Sequence, residues 1–153
     1  IQTDAEKRRS LTQSLGNKNM QPRIMYIEIK TDGLRGAGRI GRIHYSKTGT
    51  SLYYGDISLV KTQGTPLKAN YYDEETLEDY WVSGPKKDGC DSLFASQIDI
   101  DEDVRVEYWT EIRKLPNNIS KSSDKSAGKS KAEREAVEKG LRRRQMDNGW
   151  VPS

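Results

Sequence analysis

The chain has 153 residues, of which 33% are hydrophobic and 32% charged, so it has room for one domain with a modest core and a two-domain enzyme is not expected. No apolar run approaches the roughly 18 residues of a membrane helix, and the first residues lack the apolar stretch of a secretory signal, so we expect a soluble cytoplasmic protein with no membrane contact. Cys90 and His44 are the only residues of their types, which excludes an internal disulfide and a cysteine-rich zinc site, so a metal would have to be held by carboxylates. The acidic stretches are better explained as a turn and a helix start, and we expect no metal and no cofactor.

The charge is unevenly distributed. Residues 24–70 hold seven basic and three acidic side chains, whereas residues 71–116 hold five basic and thirteen acidic ones. The basic pI of about 8.9 therefore comes from the two tails and from the first half of the core. This division weakens an argument from pI to nucleic acid and favours a charged protein partner.

The first half of the chain reads as short strands. Residues 1–23 are polar and show no hydrophobic periodicity, which predicts a flexible arm or a non-native extension. From residue 24 onward, Met25 and Ile27 alternate with Tyr26 and Glu28, which predicts a half-buried strand. Further strands are predicted over residues 39–45, 51–54, 57–61, 67–73 and 79–83. Their close spacing predicts a mainly β fold, a small antiparallel meander or SH3/OB-like barrel.

The spacing of the apolar residues changes after residue 100. Val104, Tyr108 and Ile112 lie three or four residues apart, and Leu115 continues the stripe, which predicts a capping helix over about 101–114 that Pro116 ends. The compact domain is thus expected over residues 24–116. Residues 117–153 predict a basic Ser/Lys linker with a marginal helix over about 131–145.

The stretch GAGRIG, from Gly36 to Gly41, matches the pattern G-x-G-x-x-G of nucleotide-binding sites. That site needs its last glycine to open a helix, with an acidic residue about 20 positions later. Here Gly41 leads into a predicted strand and hairpin. The favoured interpretation is that the glycines permit a bend or bulge in a barrel strand.

Two groups of residues are candidate binding sites. Lys86 and Lys87 lie on a tight loop, Gly84 to Gly89, that is able to hold an anion or a partner's carboxylates, although a plain charged connection is the commoner meaning. The second group would be an exposed aromatic platform with interleaved cations, formed by Trp81, Tyr72 and Tyr53 near Arg39 and Arg42. Such platforms stack single-stranded RNA or DNA, although ordinary cross-strand packing explains the same residues.

Catalysis has little support from the residues. His44 would have to activate a serine or Cys90, yet no nucleophile elbow or activating arrangement is visible. We therefore expect no catalytic residues. The favoured function is a non-catalytic interaction module with a protein partner; nucleic-acid binding is the alternative, and a small enzyme is a third, weaker possibility.

The core also resembles a family of small uncharacterised bacterial proteins. Matching motifs are MYIE at 25–28, GRIG at 38–41, SKTG at 46–49, NYYD at 70–73, YWVSGPKKDG at 80–89 and IDEDVRVEYWTEIRKLP at 100–116. Members are sometimes labelled deoxyxylulose-phosphate synthase, an enzyme that binds thiamine diphosphate through Gly-Asp-Gly. This chain has no Gly-Asp-Gly, so we reject that label. The resemblance implies a shared fold and Met25 as the natural start, and it supplies no catalytic residues. Leu77, where glycine is usual, and Cys90, where an acid is common, depart from the pattern.

Overall fold

The computed structural model describes residues 21–30, 37–63 and 69–147, with side chains described up to residue 140. Most of the expected N-terminal arm, the glycine at position 36 and the first two residues of the strand expected over 67–73 lie outside the described residues.

Six consecutive antiparallel strands form a closed barrel. They are β1 (Arg23–Ile29), β2 (Gly38–Tyr45), β3 (Ser51–Tyr54), β4 (Ile57–Lys61), β5 (Tyr71–Asp73) and β6 (Asp79–Ser83). Each strand pairs with the next, and β6 returns to β1, where Ser83 lies opposite Tyr26. The mainly β fold and the small antiparallel meander are therefore confirmed.

The barrel interior is filled by alternate residues of its strands. Ile27, Ile43, Leu52, Leu59 and Val82 are all buried and form one cluster. Burial of such a side chain stabilises the fold by roughly 1.5–3 kcal/mol. The barrel therefore has its own apolar core.

A second layer covers the outer face of β1 and β2. Strand β7 (Ser96–Ile100) pairs in parallel with β2, and strand β8 (Ser123–Ser126) pairs antiparallel with β7. The sequence predicts neither strand. In β7, Ile98 and Ile100 alternate with polar residues, but this strand pattern is short and is followed at once by the helical spacing of α1. Strand β8 has no apolar residue, so it lies where we expect a linker.

The helical segment 102–112, here called α1, closes this second layer. It consists of a 3₁₀ turn (Glu102–Val104), an α-helical turn (Arg105–Glu107) and a π-helical turn (Tyr108–Ile112). Val104, Tyr108 and Trp109 pack with a second buried cluster that contains Tyr26, Ile40, Ile98 and Ile100. Leu115, expected on the buried stripe, is instead 42% exposed. The stripe breaks because Lys114 has a φ of 55°, which ends the helical path before Leu115.

A 3₁₀ turn (Pro116–Asn118) follows α1, and the final helix, here called α2, covers Lys131–Asp147.

Two charged residues at the end of β1 are buried. Glu28 and Lys30 lie on the outer face of β1, and they form an ion pair with each other. The hydroxyl of Tyr26 donates a hydrogen bond to the same Glu28 carboxylate.

The described part of GAGRIG belongs to strand β2 and not to a nucleotide loop. The pairing of β1 with β2 keeps a constant register from Arg23 opposite Ile43 to Glu28 opposite Gly38, so the expected bulge is absent. A Cβ atom added at Gly38 would lie 2.5 Å from the Tyr26 hydroxyl, and one at Gly41 would lie 2.6 Å from the Tyr54 ring. Aromatic rings packed on the strand therefore explain these two glycines.

Candidate functional site

Strand β6 leads into a tight turn, residues 86–89, here called the lysine turn. Lys86 and Lys87 are both exposed. The Gly89 N–H donates to the Lys86 carbonyl at 3.2 Å, and Gly89 has a φ of 76°, which a residue with a Cβ rarely adopts. The Asp88 carboxylate accepts the Cys90 N–H at 2.9 Å, and this bond lowers the pKa of Asp88. The local sequence thus closes the turn by itself.

The buried Asp91 and the half-buried Arg113 hold the lysine turn from beneath. Asp91 Oδ1 accepts the Lys86 N–H at 2.8 Å, and Arg113 Nε donates to the Lys87 carbonyl at 3.0 Å. Arg113 is itself fixed, because its Nη1 donates to Asp124 at 2.6 Å and to the Tyr108 hydroxyl at 3.1 Å. The backbone of the turn is therefore tied to both α1 and β8.

Gly89 permits this arrangement. A Cβ atom at position 89 would lie 2.5 Å from Arg113 Nη1, so any larger residue would push the guanidinium away from its partners. The guanidinium carbon also lies 4.9 Å from the Trp109 ring centre and 5.8 Å from that of Tyr108. Arg113 is therefore enclosed by the turn on one side and by aromatic rings on another.

Asp91 lies in an unusual electrostatic environment. It is 4% exposed, and its Oδ2 has no hydrogen-bond partner among the described residues. Burial raises the pKa of Asp91 to about 6, although the Lys86 N–H and the charges of Lys86 and Arg113 oppose the shift. Burial also raises the pKa of Tyr26 and that of Tyr108, and the nearby Asp91 charge adds to both shifts.

An open groove of about 420 Å³ lies beside the lysine turn, and Gly84 and Pro85 form part of its wall. The rest of its lining comes from the start of β1, from Arg42 on β2 and from α1: Pro22, Arg23, Ile24, Glu107, Glu111 and Ile112. Arg42 Nη2 donates to Glu107 at 3.0 Å across this groove, so these two charges are matched.

The barrel topology separates opposite charges at its two ends. Connections of a meander alternate between ends, so the start of β1, the β2–β3 loop, the end of β4 and the exit of β6 lie together. These positions carry Arg23, Lys47, Lys61, Lys86 and Lys87, here called the basic end. The opposite end carries Asp56 and, in the β5–β6 turn, Glu74, Glu75 and Glu78.

The cations of the basic end form no ion pair with a described residue. None of the five lies within 4.0 Å of a described carboxylate oxygen. The arginines predicted to flank the aromatic platform are instead engaged: Arg39 pairs with Asp101, which also accepts the Tyr54 hydroxyl, and Arg42 pairs with Glu107 and Asp103.

The three platform aromatics lie on three different strands, with Tyr72 and Trp81 on neighbouring ones. Trp81 packs against the second buried cluster, with Tyr26 and Trp109, on the face that α1 covers. Tyr72 on β5 is half-buried opposite Val60, and Tyr53 on β3 is 41% exposed opposite Ser58. Strand β4 lies between Tyr72 and Tyr53, whose partners Val60 and Ser58 face the same side of β4, so the aromatic platform stays a prediction.

Asp91, Arg113 and Asp124 were missed by the sequence reasoning. Arg113 falls within the helix predicted over about 101–114, with no binding role assigned, and residues 117–130 within the predicted linker. The only sequence signal was the pair Gly84-Pro85 and Asp88-Gly89, which marks a constrained turn around the lysines. Asp91 is five residues from its partner Lys86, but Arg113 is 26 residues from Lys87 and 11 from Asp124, and no periodicity links these positions.

The described residues offer little for catalysis. They contain no group of three or more His, Cys, Asp or Glu side chains placed to hold a metal ion. Burial raises the pKa of the Cys90 thiol, which disfavours the reactive thiolate, and His44 is exposed on β2. No helix among the described residues is long and apolar enough to cross a membrane.

Comparison of the chain with protein-family models, curated proteins and solved structures found no match.

Proposed function

We propose that this chain is a non-catalytic interaction module of the bacterial cytoplasm that binds an acidic protein surface through the lysine turn. The observation that carries the proposal is the clamp beneath the turn. Asp91 and Arg113 hold the backbone of Lys86 and Lys87 while both ammonium groups stay exposed.

A fixed backbone lowers the cost of binding. Ordering a flexible loop on association opposes affinity, whereas a turn that is already tied to α1 and β8 loses little further freedom. Side chains that support an exposed site from behind hold it in the geometry that binding requires.

The unmatched charge of the basic end favours an anionic partner. Arg23, Lys47 and Lys61 lie at the same end of the barrel as the lysine turn and add to its positive field. Such a field steers an acidic partner toward the site and orients it, and its effect falls with ionic strength. A protein is preferred to a single-stranded nucleic acid because Trp81 is partly buried against the second cluster and the flanking Arg39 and Arg42 are already paired with carboxylates.

The test compares matched charge reversals in the full chain. Lys86→Glu/Lys87→Glu changes the site, and Lys125→Glu/Lys139→Glu makes the same net-charge change at exposed positions on β8 and α2. Wild type is used to capture partners from nuclease-treated cell extract, and calorimetric titration of the purified partner then gives Kd for each variant.

We expect the lysine-turn variant to raise Kd by about 10-fold or more, because each exposed pair contributes up to about 1 kcal/mol and reversal replaces attraction with repulsion. The control should change Kd less than about 3-fold. Equal effects of the two variants would refute the proposed site. Saturable binding of a single-stranded oligonucleotide, lost on Tyr53→Ala or Tyr72→Ala, would instead establish nucleic-acid binding.

A further inference from the structure

The groove beside the lysine turn combines an apolar surface with an unmatched positive charge. Its apolar lining comes from Pro22, Ile24, Pro85 and Ile112. A volume of about 420 Å³ lies within the range of roughly 300–1,000 Å³ that is typical of ligand pockets. The groove therefore has room for a bulky side chain together with part of the backbone that carries it.

The charges of the groove are only partly neutralised within the chain. Glu107 is matched by Arg42 at 3.0 Å, and Glu111 lies 3.9 Å from Lys114. Arg23 also lines the groove and forms no ion pair with a described residue, and Lys86 follows the lining residue Pro85 directly. Two arginines and two glutamates balance within the lining itself, so the positive charge offered to a ligand comes from the lysine turn beside the groove.

We infer that the groove receives a bulky apolar side chain, aromatic or branched aliphatic, from an acidic segment of the protein partner, whose flanking carboxylates contact Arg23 and the lysine turn. This inference rests on the proposed function and specifies the partner's chemistry. An apolar anchor in a pocket surrounded by charged contacts is the usual source of affinity in such interfaces, since surface ion pairs alone contribute little.

Gly84 provides a way to fill the groove without disturbing the fold. It lines the groove, and a Cβ atom added there meets no heavy atom within 4 Å. Gly84→Phe should therefore place its ring in the space that the partner's side chain would use. Ala132→Phe adds the same ring at an exposed position of α2 that does not line the groove, and it serves as the control.

The probes are two fluorescein-labelled nonapeptides, each with a central residue between two runs of four aspartates. The central residue is tryptophan in one and serine in the other. Fluorescence anisotropy with the full-length chain gives Kd for both peptides. We expect wild type and Ala132→Phe to bind the tryptophan peptide about 10-fold more tightly than the serine peptide, because a large apolar side chain is buried.

In Gly84→Phe this ratio should fall below about 2-fold, with the serine peptide unaffected. In Lys86→Glu/Lys87→Glu both peptides should weaken while the ratio persists. Equal binding of the two peptides by wild type, or an unchanged ratio in Gly84→Phe, would overturn the groove inference and leave the proposed function standing. Peptide binding that is insensitive to the lysine-turn substitutions would instead overturn the proposed function.

Discussion

Asp91→Asn should change how the stability of the protein depends on pH. Asparagine keeps an oxygen able to accept the Lys86 N–H but cannot ionise. In the folded chain the Asp91 carboxyl has a pKa of about 6 because it is buried, whereas its ordinary value is 3.8. A raised carboxyl pKa means that the folded state binds the proton more tightly than the unfolded state.

The sign and size of the pH effect on stability follow from this difference in pKa. The stabilisation from proton binding is fully present below pH 3.8 and is lost as the pH rises through about 6. A gap of about two pKa units corresponds to at most about 3 kcal/mol, and relaxation around the charge reduces this to about 2 kcal/mol. Wild type should lose that amount between pH 4 and pH 7 relative to Asp91→Asn.

Urea unfolding of both proteins at pH 4, 5, 6 and 7, followed by tryptophan fluorescence, measures this difference. The comparison across pH cancels any fixed penalty from the new amide, because that penalty is the same at each pH. We expect the free energy of unfolding of Asp91→Asn to gain about 2 kcal/mol over wild type between pH 4 and pH 7. A difference constant within about 0.5 kcal/mol would show that Asp91 is not a buried ionisable group.

Two further substitutions test local geometry. Gly89→Ala should destabilise the fold by about 1–2 kcal/mol more than Gly55→Ala, because both positions have positive φ but only a Cβ at position 89 would meet Arg113. Chemical denaturation measures the free energy of unfolding of both variants. Equal losses of stability in the two variants would contradict the close contact between Gly89 and Arg113. Leu77→Gly should raise the free energy of unfolding by about 0.5–1 kcal/mol, because Leu77 has a φ of 66° and is 71% exposed, and a lower thermal midpoint would refute this.

Local sequence patterns were sufficient to predict the strands of the barrel. Strands β3, β4 and β6 have the predicted bounds because alternation over four or five residues and flanking turn residues are short-range signals. The second layer was harder to predict. The alternation in β1 places Glu28 and Lys30 on the face opposite Ile27, as solvent-facing residues, yet both are buried and paired with each other.

The candidate site was predicted only in its exposed part. The composition of residues 84–89 identified Lys86 and Lys87, because glycine, proline and aspartate mark a tight turn. The Asp91 half of the clamp is local, five residues from Lys86, but the Arg113 half joins residues 26 positions apart, and a single sequence holds no signal for such a contact. For the same reason Trp81 was predicted to be exposed, since nothing in β6 indicates which of its faces α1 covers.

The most direct test of the central claim is an NMR titration of the ¹⁵N-labelled full-length chain with the tryptophan-centred acidic peptide. The proposal predicts that the largest amide shifts fall on the lysine turn and the neighbouring Gly84, together with the side-chain Nε signal of Arg113. The acidic β5–β6 turn, Glu74 to Glu78, should stay unchanged. Shifts confined to Tyr53 and Tyr72, or no shift of the lysine turn at saturating peptide, would contradict the assignment of this turn as the binding site.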